Sequence, residues 1–346
     1  MTLSRSSISS TFSTFLSLII TIPLVFLLVS CTEDPDDPVQ FKPTSTINKL
    51  FIVGSQIDNG DLVLYVNGTD TDGTPFTVSD LQAISVDIGD EPNAQTYTND
   101  GTNVSIGAVA PGDKILSLTF LSDYSGSIPE TEFDVLRGIH NNILDALPSI
   151  YEIQVFIFSD DPKMKLDWTE SDTDPTSAAS LAIRNAVEVE TVIWKNGTAL
   201  LDGLGEVLLR SQTGDPSDGL IQRCRPARML IVFSDGLENA STLHTDQQTL
   251  VNYLEQNNVL TIMLGGESAD LATLNALAGN LGAVVQMSNA SAIDAQITNW
   301  KDSLSNMVSV RIKPDTLYDT VDTVTLRVNA GQELVFDTAT VGGVCP

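Results

Sequence analysis

Apolar and polar residues along the middle of the chain predict strands and helices in turn. Over residues 112–307, short and mostly apolar runs such as 115–121 are separated by longer segments with apolar residues at helical spacing, such as 130–147. A continuous apolar run is typical of a strand buried on both faces, and strands that alternate with helices favour a parallel sheet. We therefore predict a doubly wound, mostly parallel α/β domain over residues 112–307.

The segments on either side of this domain have a different pattern. Residues 46–111 contain short apolar runs separated by Asn-Gly, Asp-Gly and Gly-Asp turn signals, which is typical of a small β-domain. The stretch 66–88 resembles the Ig-like β-sandwich modules of some bacterial proteins. Residues 308–346 return to strand-like patterns, but these strands are too few for a separate sandwich. We expect the two segments to combine into one β-sandwich-like domain.

The N-terminal residues resemble a bacterial export signal. An apolar stretch at residues 15–29 is short for a membrane-spanning helix and contains Pro23. The sequence Leu-Val-Ser-Cys at residues 28–31 resembles the lipobox of bacterial lipoproteins. This resemblance implies a signal peptide at residues 1–30 and a Cys31 acylated by fatty acids such as palmitate. The protein would then be lipid-anchored in the cell envelope, at the outer membrane, on its periplasmic side or at the cell surface. The alternative is an ordinary secretory signal with an incidental cysteine.

The chain is strongly acidic, both locally and as a whole. Residues 31–45 include the run Glu-Asp-Pro-Asp-Asp-Pro, which cannot bury apolar area and predicts a solvated tether. The formal net charge is −28, from 45 acidic and 17 basic residues. Such a field repels phosphate backbones, which excludes nucleic acid as a partner.

Two cysteines remain besides Cys31, and they leave a question of pairing open. They are Cys224 and Cys345. An exported protein folds where disulfides form, so these two cysteines can form a disulfide. Two scattered cysteines can equally stay reduced.

Oxygen-bearing side chains follow two of the predicted strands and precede one predicted helix. The first strand leads into an Asp-x-Ser-x-Ser sequence, the second into an Asp, and a Thr stands where a loop enters a helix. The candidate metal ligands are Asp123, Ser125, Ser127, Thr198 and Asp235. Open α/β sheets bind ligands beyond the carboxyl ends of their strands, and hard cations prefer oxygen ligands. These residues therefore predict a divalent-cation site at that edge of the sheet.

This pattern resembles von Willebrand factor A-type (vWA) domains that carry a metal-ion-dependent adhesion site (MIDAS), and the resemblance covers over half of the chain. It implies that Ser125 and Ser127 bind the ion directly and that Asp123 holds a coordinated water. Thr198 and Asp235 would contribute from the second and third loops. The implied ion is Mg²⁺, with Mn²⁺ or Ca²⁺ as alternatives. A protein partner would complete its coordination with a Glu or Asp carboxylate.

The residues give little support to an enzyme. The two histidines, His140 and His244, are expected at the surface, on the polar side of a helix and in a loop, rather than as catalytic bases. The sequence has neither a nucleophile elbow around Ser125 nor a phosphate-binding glycine loop. We therefore predict a membrane-anchored, metal-dependent adhesion module that is not an enzyme. The alternative is a structural envelope lipoprotein whose vWA domain docks constitutively within a complex, with the metal serving the fold.

The lipobox resemblance generates a first prediction. Replacing Cys31 by Ala removes the thiol that would be acylated, so we expect an uncleaved precursor without lipid. Mass spectrometry of the mature protein checks this, with the Ser30→Ala variant as a control that keeps the cysteine. An unmodified N-terminus at another residue of the wild-type protein would contradict the lipoprotein interpretation.

Overall fold

A computed structural model gives the fold of the chain between residues 47 and 337. The residues it describes are 47–70, 77–81, 84–88, 95–109, 116–147, 151–172, 174–188, 197–212, 215, 218–223, 225, 227–279, 282–313, 323–328 and 332–337. The predicted signal peptide and tether, with Cys31, lie outside these residues, as do Cys224 and Cys345.

Strands and helices succeed one another along the described residues. The strands are β1 (Ile47–Asp58), β2 (Asp61–Asp70), β3 (Ile84–Ile88), β4 (Gln95–Thr98), β5 (Val104–Ala108), β6 (Leu116–Asp123), β7 (Tyr151–Phe158), β8 (Pro162–Glu170), β9 (Ala227–Ser234), β10 (Val259–Gly265), β11 (Ala283–Gln286), β12 (Val308–Ile312), β13 (Thr323–Val328) and β14 (Gln332–Asp337). The helices are α1 (Glu130–Ala146), α2 (Ala178–Val187), α3 (Leu200–Leu209), α4 (Gln247–Gln256), α5 (Leu271–Ala278) and α6 (Ala290–Ser305). None of the helices in this part of the chain has the length and apolar character that crossing a bilayer requires.

A six-stranded sheet forms the centre of the α/β part. Its order is β11-β10-β9-β6-β7-β8, and all neighbouring strands are parallel except β7 and β8. Successive strand residues point to opposite faces, so Phe120 and Leu121 of β6 belong to two different apolar clusters. Helices cover both faces, and β6 is buried along its whole length. The predicted doubly wound, mostly parallel α/β fold is thus confirmed.

The edge strand β8 has no counterpart among the predicted strands. It pairs antiparallel with β7, and most of its side chains are half-buried or exposed. Its sequence includes Lys163, Lys165 and Asp167 and lacks the apolar run that marks a buried strand. Charged side chains on an edge strand hinder pairing with other chains. These charged residues interrupt the apolar run that marks a strand in the sequence, and β8 was therefore not predicted.

Two four-stranded antiparallel sheets flank the α/β part. One has the order β1-β2-β12-β5 and the other the order β14-β13-β3-β4. Strand β12, which follows α6 in sequence, lies between β2 and β5, and β13 pairs with β3. One apolar core contains residues of both sheets, among them Leu64, Val86, Val310 and Leu326. The N- and C-terminal segments therefore combine into one β-structure, as predicted.

The chain passes between the β-structure and the α/β part at two adjacent points. The backbone N–H of Val109, after β5, donates to the carbonyl oxygen of Met307, before β12, at 3.3 Å. Val63 and Tyr65 of β2 belong to the same apolar cluster as Leu304 of α6. The last helix of the α/β part is thus packed against one sheet and covalently continuous with a central strand of that sheet.

His140 is buried, which corrects the expectation that it lies at the surface. Its side chain on α1 is 2% exposed, its ring lies 4.3 Å from the ring of Phe120, and its Nδ1 is 3.4 Å from the carbonyl oxygen of Val187. Burial lowers the pKa of His140 to about 4. The helical pattern counts a histidine as polar, which placed His140 at the surface. A neutral imidazole can pack in the core like other rings. His244 is half-buried, with its ring against Gly205.

The burial of His140 generates a prediction about stability and pH. The histidine has a pKa of 6.5 in the unfolded chain and about 4 in the folded one, so the unfolded state binds the proton more readily. Stability from this group is complete above pH 6.5 and is lost as pH falls toward 4. We expect the free energy of unfolding of His140→Leu, relative to wild type, to improve by about 2 kcal/mol from about pH 7.5 to about pH 5.

Urea unfolding of the wild type and the variant at both pH values measures this difference. Acidic residues titrate alike in both proteins, so their contribution cancels. Parallel pH profiles for the two proteins would show that His140 is not held in its neutral form.

Candidate metal centre

The first loop of the candidate site begins where β6 ends. Asp123 is the last residue of β6, and its Oδ1 accepts a hydrogen bond from the backbone N–H of Ser125 at 2.8 Å. The Oγ atoms of Ser125 and Ser127 are 2.9 Å apart. Asp123 and Ser125 are buried, whereas Ser127 is exposed. Three of the five predicted ligands thus form one oxygen cluster that runs from the sheet edge to solvent.

The third loop lies beside the first because β9 pairs in register with β6. Asp235 directly follows β9, and its negative charge is close enough to act on the Asp123 carboxyl. Ser234 donates its hydroxyl to Asp123 Oδ2 at 2.9 Å. The sequence interpretation did not include Ser234. Its only signal is its position next to Asp235, and the contact with Asp123 depends on strand register.

Gly236 fixes the turn that follows Asp235. Its φ is +79°, which favours glycine, and a Cβ at this position would lie 2.9 Å from the carbonyl oxygen of Asp270. The backbone N–H of Asp270, which caps α5, donates to the carbonyl oxygen of Asp235 at 2.7 Å. The backbone around Asp235 is therefore held by the start of α5, and a side chain at position 236 would disturb it.

The second loop is tied to the third by hydrogen bonds between Asn239 and the backbone of Thr198. The N–H of Thr198 donates to Asn239 Oδ1 at 2.8 Å, and its carbonyl oxygen accepts from the Asn239 N–H at 3.0 Å. Asn239 belongs to the loop after Asp235. On the other side, the Ala199 N–H donates to the carbonyl oxygen of Ser159 at 2.6 Å, next to the end of β7. Thr198 is buried at the same carboxyl edge of the sheet as the first and third loops.

Two further carboxylates hold these loops and were not found from the sequence. Asp202, buried in the first turn of α3, accepts hydrogen bonds from the backbone N–H groups of residues 242–244 at 2.7 to 2.9 Å. Glu238 Oε2 accepts from the Leu201 N–H at 2.9 Å. Both contacts join segments that are distant in sequence, so no local pattern marks them. They make the segment after Asp235 and the start of α3 one hydrogen-bonded unit.

The Asp123 carboxylate lies in an unfavourable electrostatic environment. Burial raises the pKa of Asp123 from 3.8 to about 6, hydrogen bonds from Ser125 and Ser234 lower it in part, and the charge of Asp235 raises it further. Among the residues that the structure describes, no Lys or Arg forms a salt bridge with Asp123 or Asp235. Bringing a cation to this place would offset both burial and repulsion.

The chemistry of the side chains fits a hard divalent cation. Two carboxylates and three hydroxyls offer only oxygen, which Mg²⁺ prefers over nitrogen or sulfur. The described residues contain no group of three or more His, Cys, Asp or Glu side chains that could hold a metal ion. A metal at this edge would therefore depend on the hydroxyls of Ser125, Ser127 and Thr198 as well as on the carboxylates.

Several solved structures are similar to this chain at low identity. Proximal thread matrix protein 1 from the mussel byssus is 15% identical, with 61% of this chain and 50% of that chain covered and a TM-score of 0.44. The conserved hypothetical protein BatB from Bacteroides thetaiotaomicron is 16% identical, with 54% and 98% covered and a TM-score of 0.39. The von Willebrand factor type A protein from Catenulispora acidiphila is 10% identical, with 86% and 74% covered and a TM-score of 0.45.

These likenesses concern the fold alone, and this chain spans half the length of the mussel protein. No curated protein matches it in sequence. One protein-family model matches the sequence, over residues 117–300, which are more than half of the chain. The sheet order and the helices on both faces agree with that match. The protein belongs to the von Willebrand factor type A domain family.

Proposed function

We propose that this protein is a membrane-anchored module that binds a protein partner through a metal ion. Domains of the von Willebrand factor A type are generally interaction modules rather than enzymes. The five side chains Asp123, Ser125, Ser127, Thr198 and Asp235 would hold Mg²⁺ in a MIDAS-type site. The partner would contribute a carboxylate from a Glu or Asp side chain.

The observation that carries this proposal is the oxygen cluster at the carboxyl edge of the sheet. Asp123 and Ser125 are buried, Ser127 opens to solvent, and the charge of Asp235 acts on Asp123. Among the described residues, no Lys or Arg forms a salt bridge with either carboxylate, and a purely structural turn would not require two carboxylates to lie near each other in this way, because such burial is costly. A bound cation would stabilise both carboxylates at this position.

Hydrogen bonds hold the proposed ligands in place before an ion binds. Asp123 is oriented by Ser125 and Ser234, and Thr198 is held by Asn239, so these groups need little rearrangement to meet an ion. A divalent cation bound here would supply an electrophilic centre with an open coordination position for a carboxylate oxygen. Three of the five proposed ligands are uncharged hydroxyls, and the two carboxylates offset the charge of a divalent cation without excess, so the ion can still accept a carboxylate from the partner.

The anchor is part of the same proposal. The lipobox-like residues 28–31 support acylation at Cys31 and a position at the outer membrane. Strand β1 starts at Ile47, so the acidic residues 31–45 would separate the lipid from the β-structure. Such a tether would let the carboxyl edge of the sheet reach a partner beyond the lipid headgroups.

The packing of α6 favours a second candidate function, constitutive docking within an envelope complex. Helix α6 packs on one sheet of the β-structure and continues directly into β12. A helix held in this way suits a domain that keeps one conformation. In this alternative the metal would serve the fold, and removing it with a chelator would leave the complex intact unless the domain unfolds.

The proposed ligand set generates a prediction for metal binding. Replacing Asp123 by Ala removes half of the formal charge of the site, so we expect Mg²⁺ affinity to fall about 100-fold, whereas Thr198→Val should cost about tenfold. Calorimetric titration of the full chain with Mg²⁺, Mn²⁺ and Ca²⁺ measures both effects. Asp134→Ala, which removes an exposed carboxylate on α1, is the matched control. Unchanged Mg²⁺ affinity in Asp123→Ala, with unchanged circular dichroism, would place the ion elsewhere.

Carboxylate recognition is tested with pairs of peptides that differ only in one Glu or Gln. We expect the full chain in Mg²⁺ to bind Glu peptides at least tenfold more tightly than their Gln partners, because only a carboxylate can ligate the ion well. Fluorescence anisotropy measures the affinities, and addition of EDTA should abolish the difference. Equal binding of Glu and Gln peptides, with Mg²⁺ bound, would contradict metal-mediated recognition.

A further inference from the structure

We propose that the partner presents its carboxylate among apolar side chains, which dock on three exposed leucines around the site. This inference rests on the proposed function and adds a class of partner to it. The three residues, here called the leucine rim, are Leu237, Leu243 and Leu271. They are 49%, 61% and 37% exposed, respectively.

Each rim leucine belongs to a segment that also holds the site. The backbone N–H of Leu237 donates to Asp235 Oδ1 at 2.9 Å. Leu271 is the first residue of α5, directly after Asp270, whose N–H donates to the Asp235 carbonyl oxygen at 2.7 Å. The N–H of Leu243 donates to Asp202 Oδ1 at 2.9 Å, in the helix that follows Thr198. Leu237 and Leu271 thus lie beside Asp235, and Leu243 lies beside the second loop.

The rim leucines stay exposed although one of them, Leu271, also lies next to Gly265 of β10. Single exposed apolar residues are common, and the other large ones in the described part of the chain, Val135, Met164 and Leu181, lie on α1, β8 and α2. The rim differs because three leucines belong to segments that meet at one edge of the sheet, around a candidate ligand site. Apolar side chains grouped in this way mark binding surfaces.

Hydrogen bonds fix the backbone of the leucine rim. The backbone at Leu237 is fixed by Asp235, and the backbone at Leu243 is fixed by Asp202. A surface that is already ordered loses little conformational entropy when a partner covers it. Apolar area on these leucines can therefore contribute to affinity, and a polar segment at the same place would gain nothing from them.

Charge restricts the partner further. Exposed acidic residues at the same carboxyl edge include Glu130, Asp161 and Glu267, and the whole chain has a net charge of −28. Additional negative charges on a partner would be repelled, and so would a second copy of this chain. The occupant that fits is a protein segment with a single Glu or Asp flanked by apolar residues, and with basic rather than acidic residues farther out.

Three peptides and two variants of the full chain test this inference. The peptides carry a central Glu flanked by Leu and Phe, the same Glu flanked by Ser, and a central Gln flanked by Leu and Phe, each with Lys at both ends. One variant combines Leu237→Ser with Leu243→Ser. The control is Leu181→Ser, because Leu181 is 48% exposed on α2, away from the site. Anisotropy gives the peptide affinities, and calorimetry gives the Mg²⁺ affinity of each protein.

We expect wild type in Mg²⁺ to bind the Leu/Phe-flanked Glu peptide at least tenfold more tightly than the Ser-flanked one. The double variant should lose this preference while its Mg²⁺ affinity stays unchanged, and Leu181→Ser should behave like wild type.

A preference that survives in the double variant, or that is absent in wild type, overturns the leucine rim but leaves metal-mediated recognition standing. Equal binding of the Glu and Gln peptides, insensitive to EDTA, instead overturns the proposed function. Self-association of wild type in sedimentation that disappears in the double variant would make a second copy the occupant and overturn the inference.

Discussion

The in-register parallel pairing of β6 with β9 is the constraint on which the candidate site depends. It sets the ends of two buried strands side by side, so that Ser234 reaches Asp123 and the charge of Asp235 acts on the same carboxyl. A slip of one residue would turn each side chain to the opposite face. Both strands are buried among helices, and the hydrophobic core therefore fixes the register that the polar groups require.

Hydrogen bonds between loops extend this order beyond the sheet. Asn239 binds the backbone at Thr198, and Asp202 binds three consecutive N–H groups of the segment after Asp235. Loops usually have more freedom than the elements they connect. Here the second and third loops form one unit, which gives the proposed ligands and the leucine rim fixed positions relative to the sheet.

Negative charge characterises both the whole chain and the candidate site. With a net charge of −28, the chain repels other anionic molecules. At the candidate site negative charge has a local effect: burial raises the pKa of Asp123, and the charge of Asp235 raises it further. A bound divalent cation would offset the charge of the two carboxylates. The proposed partner then meets one positive centre within an acidic and partly apolar surface, which selects for a single carboxylate in an apolar segment.

The sequence by itself determined the alternation of strands and helices, the return to strands after α6, and the oxygen-bearing residues at the strand ends, because periodicity and residue type are local properties. It placed Asp123 and Asp235 after buried strands, and the common edge followed from the general rule for parallel sheets. Only the tertiary structure decided that Ser234 contacts Asp123, that β8 forms a charged edge, and that His140 is buried. Those features depend on strand register, on the order of strands and on packing between distant segments. Such contacts arise between residues far apart in the chain, and no local pattern records them.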